Sequence, residues 1–234
     1  MAINCKKVNN LNLELADKMR GMKIWIPKSN DKIEYIYEEL LEEDTLISTA
    51  MADLKKYSIE TYNHSMRVAM YSVFLANALS IDRDVFNNLI KGALIHDVGK
   101  MKIPSEILHY TGKYDEKQKR QIRMHPLLGI EYMTEQGVSI TPEIHDVIRQ
   151  HHEYCDGTGY PFGLHKKDIS ELSRIVTICD IFEAYIAKRV YHPQRSYREG
   201  IDYLLYLSLK GKIDSDYTRL FIQILLGIEE RKNE

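Results

Sequence analysis

Five of the nine histidines in this chain, His64, His96, His125, His151 and His152, form a series with the carboxylates Glu60, Asp97 and Asp180. Imidazole nitrogens and carboxylate oxygens are ligands for divalent cations, and a set without thiolates favours borderline to hard ions: iron or manganese first, with zinc, nickel or magnesium as alternatives. Ions held this way lower the pKa of a coordinated water towards neutrality and polarise phosphoryl oxygens, so the chemistry within reach is hydrolysis. Taken singly, a histidine on a helix is more often a packed or hydrogen-bonded residue than a ligand. The adjacent pairs His96-Asp97 and His151-His152, with a shared return spacing, are harder to obtain from packing needs alone.

That spacing says how the eight side chains could meet. His64 to His96 is 32 residues, Asp97 to His125 is 28, His125 to His151 is 26 and His152 to Asp180 is 28. A segment of that size can travel out along a bundle and back, returning the chain to the same end each time. Glu60 and His64 are four apart and share one face of a helix. His96 and Asp97 stand about 100° apart around a helix axis, yet at a helix end just before Gly99 both can reach an ion beside the terminus. The His151-His152 pair follows the same logic, coming just before the loop from Glu153 to Phe162.

The elements that must position them read as helices. From Lys32 to Lys56 the apolar residues Ile33, Ile36, Tyr37, Leu40 and Leu41 follow the i, i+3, i+4, i+7, i+8 pattern of an amphipathic helix. Further helices are predicted over residues 58–79, 82–97, 115–123, 126–136, 142–151, 171–187, 197–210 and 215–229. Ser196 with Glu199 fits a capping box, and Gly211 stands where the preceding helix should stop. Strand-like alternation is scarce, so the expected fold is an all-α bundle. Residues 1–56 are read as an N-terminal extension carrying the first amphipathic helix, and residues 57–234 as the catalytic domain. The extension is also the candidate for regulation or for a homodimer contact.

Composition sets outer bounds. The 234 residues are 44% hydrophobic and 28% charged, the balance of a globular protein with a full core. With 32 Lys+Arg against 34 Asp+Glu there is no global positive field to recruit a nucleic-acid polymer or anionic lipid, so an anionic substrate must be held by local chemistry. The longest strongly apolar run, Leu220 to Ile228, is too short to span a bilayer, and a cytoplasmic location is expected. Three cysteines, Cys5, Cys155 and Cys179, without a C-x-x-C pair indicate neither a disulfide framework nor a thiolate zinc site. Cys155 and Cys179 are read as small semi-buried residues. Asp156 is read as shaping its turn, and Glu153 as either orienting the adjacent histidines or facing solvent.

Written out, the motifs are His64-Ser65-Met66-Arg67-Val68, His96-Asp97-Val98-Gly99-Lys100, Met124-His125-Pro126 with Gly129, the run from His151 to Pro161 (H-H-E-Y-C-D-G-T-G-Y-P), and Arg174-Ile175 through Asp180 to Arg189. Over residues 58–210 this resembles the HD superfamily of metal-dependent phosphohydrolases, and specifically its HD-GYP branch. The resemblance implies an HD-type helical bundle with two or three metal ions, held by His64, His96, Asp97, His125, His151, His152 and Asp180. In it Asp97 bridges two ions, and Glu60 matches the extra carboxylate of members with a third. Lys100 and Arg189 match residues that contact substrate phosphate, and Tyr160 borders the substrate pocket. The implied activity is hydrolysis of cyclic di-GMP to linear pGpG and onward to GMP. The alternatives are a metal-binding regulatory module without turnover, or an HD phosphohydrolase of another nucleotide.

The chain departs from that pattern in two places. The usual F-D-A-L-T is Phe182-Glu183-Ala184-Tyr185-Ile186, which changes the helix surface beside the pocket. The usual R-P-Y-R/K is Arg189-Val190-Tyr191-His192, so a constant cation gives way to a histidine that carries charge at pH 7 only if a phosphate raises its pKa.

Overall fold

In the computed structural model of the chain, the described residues are 44–187 and 194–232, with side chains described up to Gly227. Ten α-helices follow in order: α1 (Thr45–Tyr57), α2 (Ile59–Leu79), α3 (Arg83–Ile95), α4 (Ser105–Leu108), α5 (Glu116–Ile122), α6 (His125–Glu135), α7 (Pro142–Gln150), α8 (Glu171–Ile186), α9 (Tyr197–Leu209) and α10 (Ser215–Lys232). Two 3-10 turns, Val98–Lys102 and Lys166–Asp168, complete the list. Among the described residues there is no named strand, only an isolated bridge between Asp156 and His165, and the all-α expectation holds.

Local chemistry starts these helices where the sequence suggested. Ser58 caps α2 through the Thr61 amide, Thr141 caps α7 ahead of Pro142, and the Ser196–Glu199 capping box closes on both sides. Gly211 adopts φ +70 after α9, as the stop signal required. One expectation fails: the helix predicted from Lys32 to Lys56 does not run through residue 44. Asp44 leaves helical geometry, accepts the Ile47 amide at 3.2 Å and starts α1 afresh, with Lys91 Nζ 2.7 Å from its other oxygen. A short acidic side chain that satisfies a free amide competes with helix continuation. The Ile33–Leu41 stripe lies outside the described residues. α1 itself supplies Ile47, Ala50, Met51 and Leu54 to the core.

The second departure is at the end of α3. It stops at Ile95 rather than Asp97, and Val98–Lys102 form a 3-10 turn, so Asp97 sits at a corner with φ −102 and ψ 6. The short α4 had no sequence signal strong enough to predict it.

α2 is the central element and is buried on most sides, with Val68, Val73 and Leu75 fully inaccessible. It packs against α1, α3, α8 and α10, while α3 packs on α7, and α7 on α6. An edge-to-face cluster of Tyr71, Phe182 and Phe221, with centroids 5.1 to 5.8 Å apart, ties α2, α8 and α10 together. No described helix is long and apolar enough to cross a membrane.

Candidate metal centre

The structure brings seven of the eight predicted ligands to one place. His64 projects from the second turn of α2 and Asp180 from the middle of α8, His96 and Asp97 from the end of α3, His125 from the first residue of α6, and His151 and His152 from the end of α7. Asp97, His125, His151 and His152 form one group whose ligand atoms all lie within 4.8 Å of one another, and His64, His96 and Asp97 form a second. Asp97 belongs to both. Asp180 joins them, its oxygens 3.0 Å from His64 Nε2 and 3.7 Å from His152 Nδ1. Glu60, exposed in the first turn of α2, is in neither group.

Backbone contact makes this convergence possible. The 3-10 turn meets the start of α6 so closely that a Cβ on Gly99 would stand 2.0 Å from the His125 carbonyl oxygen and 2.3 Å from the Gly129 nitrogen. Glycine is required there by space alone.

Orientation of three rings comes from helix ends. His96 Nδ1 donates to the Ala93 carbonyl at 2.7 Å, His125 Nδ1 to Ile122 at 2.7 Å and His151 Nδ1 to Ile148 at 2.8 Å. Each carbonyl belongs to the last turn of α3, α5 or α7, where no further turn supplies a partner. A carbonyl can only accept, so the proton is on Nδ1 and Nε2 presents a bare lone pair. The result is a concentration of acceptors. His125 Nε2 faces His151 Nε2 at 3.0 Å and Asp97 Oδ1 at 3.2 Å, while His96 Nε2 and Asp97 Oδ1 are buried with no hydrogen-bond partner. Buried acceptors facing one another are costly unless a cation lies among them. The donor set fits divalent metal on this ground.

Electrostatics agree. Burial pushes His125 down to about 3 and His152 down to about 4 against the opposing pull of Asp97 and Asp180, and burial beside the other histidines holds His151 well below the usual imidazole range, which keeps these rings neutral. Burial opposes ionisation of Asp97 and Asp180, but Lys100 beside the first and His64 beside the second hold both carboxyls below their ordinary values. His64 behaves differently: burial lowers it, yet Asp180 and Glu183 outweigh burial and bring it up to about 9.

The rim carries two of the four predicted substrate residues, Lys100 and Tyr160. Lys100 Nζ is 2.6 Å from Asp97 Oδ2 with its side chain 21% exposed. Tyr160 stacks on His152, centroids 4.6 Å apart, and Arg123 lies over the Tyr160 ring at 5.3 Å. Arg189 and His192 lie outside the described residues. Glu153, read as a partner of the histidines or a solvent-facing residue, is neither. It is 2% exposed and accepts the amides of Phe162, Gly163 and Leu164, folding the loop that holds Tyr160. Asp156 has the structural role expected, accepting from the Thr158 amide at 3.0 Å and hydroxyl at 2.7 Å. Cys179 is buried, which pushes its thiol up to about 12, and burial also raises Cys155.

Sequence reasoning missed Arg67 and Glu183 as parts of the site. Glu183 hydrogen-bonds His64 Nδ1 and receives Arg67 Nε and Nη2, each at 2.5 Å. The signal was available: Arg67 follows His64 by three residues and Glu183 follows Asp180 by three, so each pair shares a helix face.

Comparison with known proteins supports the same reading. A family model for the HD domain matches residues 44–217. The chain is 29% identical over 207 residues to the cyclic di-GMP phosphodiesterase PA4108 of Pseudomonas aeruginosa, covering 88% of this chain and 49% of that protein. It is 33% identical over 184 residues to 3'3'-cGAMP-specific phosphodiesterase 1 of Vibrio cholerae, covering 76% of this chain and 42% of that protein. The chain thus spans about half the length of these curated relatives. In fold it matches the HD domain of the L. monocytogenes phosphodiesterase PgpH with a TM-score of 0.60 at 18% identity, covering 79% of this chain and 99% of that one. Its matched residues and all-helical architecture establish that the chain belongs to the HD domain family, in the HD-GYP branch that its 151–161 loop resembles.

Proposed function

We propose that the chain is a metal-dependent phosphodiesterase that opens cyclic di-GMP to linear pGpG and carries hydrolysis on to GMP. The observation that carries this reading is the set of lone pairs on His96, His125 and His151 turned toward Asp97, where His96 Nε2 and Asp97 Oδ1 are buried without a hydrogen-bond partner. We assign two ion positions, one served by Asp97, His125, His151 and His152 and the other by His64, His96, Asp97 and Asp180, with iron or manganese as occupants. Glu60 is kept as the candidate carboxylate for a third ion, as the resemblance implies. Divalent ions held there supply Lewis acidity and activate water for attack on phosphorus.

The chain's own residues do the rest. Asp97 and Asp180 would offset only part of the charge of divalent ions held there, so the loaded floor would stay net positive and attract an anionic diester. Lys100, partly exposed beside Asp97, is placed to offset charge that develops on a phosphoryl oxygen. The raised thiols of Cys155 and Cys179 argue against a covalent cysteine route. Tyr160, packed between His152 and Arg123, walls the rim.

The test is turnover by metal-reconstituted protein supplied with cyclic di-GMP, 3'3'-cGAMP or mononucleotides, with Asp97→Ala as control. Release of pGpG by the wild type and loss of about 10^4-fold or more in the variant is expected. Preferential turnover of 3'3'-cGAMP would move the substrate assignment, and metal uptake without turnover of any cyclic dinucleotide would favour a regulatory binding module. Homodimerisation through the Ile33–Leu41 stripe belongs to the same proposal and is checked by sedimentation of the full chain against one lacking residues 1–43.

A further inference from the structure

We infer that Glu183, anchored by Arg67, is a positioning residue for His64 and sets the affinity of the ion position that His64 shares with Asp180. This deepens the metal-centre reading and rests on it.

The need arises from where His64 stands. His96, His125 and His151 each use an unpaired carbonyl in the last turn of a helix to hold the ring. His64 is in the interior of α2, where the carbonyl of each preceding turn is already engaged in the helix, so its Nδ1 must find a side chain. Glu183 provides it from α8. The carboxylate is 1% exposed, one oxygen taking His64 Nδ1 and the other both nitrogens of Arg67 at 2.5 Å.

Register makes the arrangement two by two. α2 presents His64 and Arg67 three residues apart, and α8 presents Asp180 and Glu183 three residues apart. Asp180 meets Nε2 of the ring while Glu183 meets Nδ1. With the ring held from behind, Nε2 is aimed between Asp180 Oδ1 at 3.0 Å and Asp97 Oδ2 at 3.5 Å. A buried carboxylate with no countercharge would be expensive, and Arg67, its side chain 45% exposed, supplies one from the solvent side. A charged acceptor behind an imidazole raises the basicity of its far nitrogen more than a carbonyl does, so Glu183 strengthens one ion position and leaves the other to the helix ends. One of the three positions where the sequence departs from the family's F-D-A-L-T, Glu183, is thus the one that holds a ligand in place here. The longer glutamate reaches His64 and Arg67 together.

The experiment is calorimetric titration of metal-free protein with Mn²⁺, alongside thermal melting of the metal-free forms. Glu183→Gln is expected to weaken one Mn²⁺ equivalent by about ten- to a hundredfold and leave the other unchanged. Glu183→Asp should restore part of that loss. Arg67→Met, at a half-exposed position the fold tolerates, should weaken the same equivalent by a smaller factor, and it decides the matter alone if Glu183→Gln does not fold. Unchanged affinities in the variants, or both equivalents weakened together in step with the melting temperature, would overturn the inference while leaving the metal centre standing. Wild-type protein that takes up no Mn²⁺ would overturn the metal-centre reading itself, and this inference with it.

Discussion

At the floor of the centre His96, Asp97, His125 and His151 are at most 1% exposed, and each ring is fixed by a carbonyl three residues earlier in the chain. At the rim His152 and Lys100 keep 24% and 21% of their side chains accessible and are held by stacking and by an ion pair. The floor is therefore built from local backbone, once the helix ends are brought together, and the rim from the packing of one loop against it. The chemistry follows that division. A ligand set must not reorganise when charge moves, whereas groups that meet a diffusing substrate need freedom to close on it.

Four substitutions sharpen this contrast. The largest effect is expected at the floor: Gly99→Ala drives a methyl group into the backbone of α6, and should cost about 3 kcal/mol of stability and reduce metal content. Thermal melting with metal analysis checks it, and a variant that melts like the wild type would mean the turn and α6 are not in backbone contact. At the rim, Lys100→Met should lower kcat/KM by about 10^2-fold with metal content retained, because its proposed role is toward the phosphoryl group, and ions bound at the centre would take over the charge its ion pair supplies to Asp97. Steady-state kinetics with parallel metal analysis separates the two cases. If metal is lost instead, Lys100 belongs to the floor.

Glu153→Ala leaves three loop amides without their acceptor and should cost about 2 kcal/mol, with KM rising more than kcat falls because the loop carries Tyr160. An unchanged melting temperature would show that the loop finds other partners. The smallest effect is reserved for a group outside both regions. Burial would raise Asp214, but Lys166, the Asp216 amide and Arg174 hold it below 3.8. A carboxyl depressed in the folded state stabilises above its unfolded pKa, and that stability is lost as pH falls through the folded value. Asp214→Asn should therefore melt a few degrees below the wild type near neutral pH, with the gap closing below about pH 4. A gap that is constant with pH would remove the ionised carboxyl from the explanation.

Much of the site was legible before any coordinates. Paired ligands placed before Gly99 and before the 153–162 loop marked helix ends, and Ser196 with Glu199 marked a helix start, because caps and breakers act over a few residues. The helix predicted across residue 44 failed for the same kind of reason: Asp44 is a local cap, a signal of one residue against the period of the Ile33–Leu41 stripe before it. Glu183 and Arg67 were not assigned because their role exists only between α2 and α8, 116 residues apart in the chain. Glu153 was misjudged because its partners, the amides of Phe162 to Leu164, are backbone groups that no side-chain pattern records.

Residue type and spacing by themselves determined that the chain is helical and that histidines and carboxylates recur where a bundle returns to one end. Those properties follow from the period of the helix and from the ligand chemistry of imidazole and carboxylate. Only the tertiary structure decided which nitrogen of His96, His125 and His151 faces the centre and that His64 takes its support from another helix. Such choices depend on which free acceptor lies behind each ring, and an acceptor becomes a neighbour only after the helices pack.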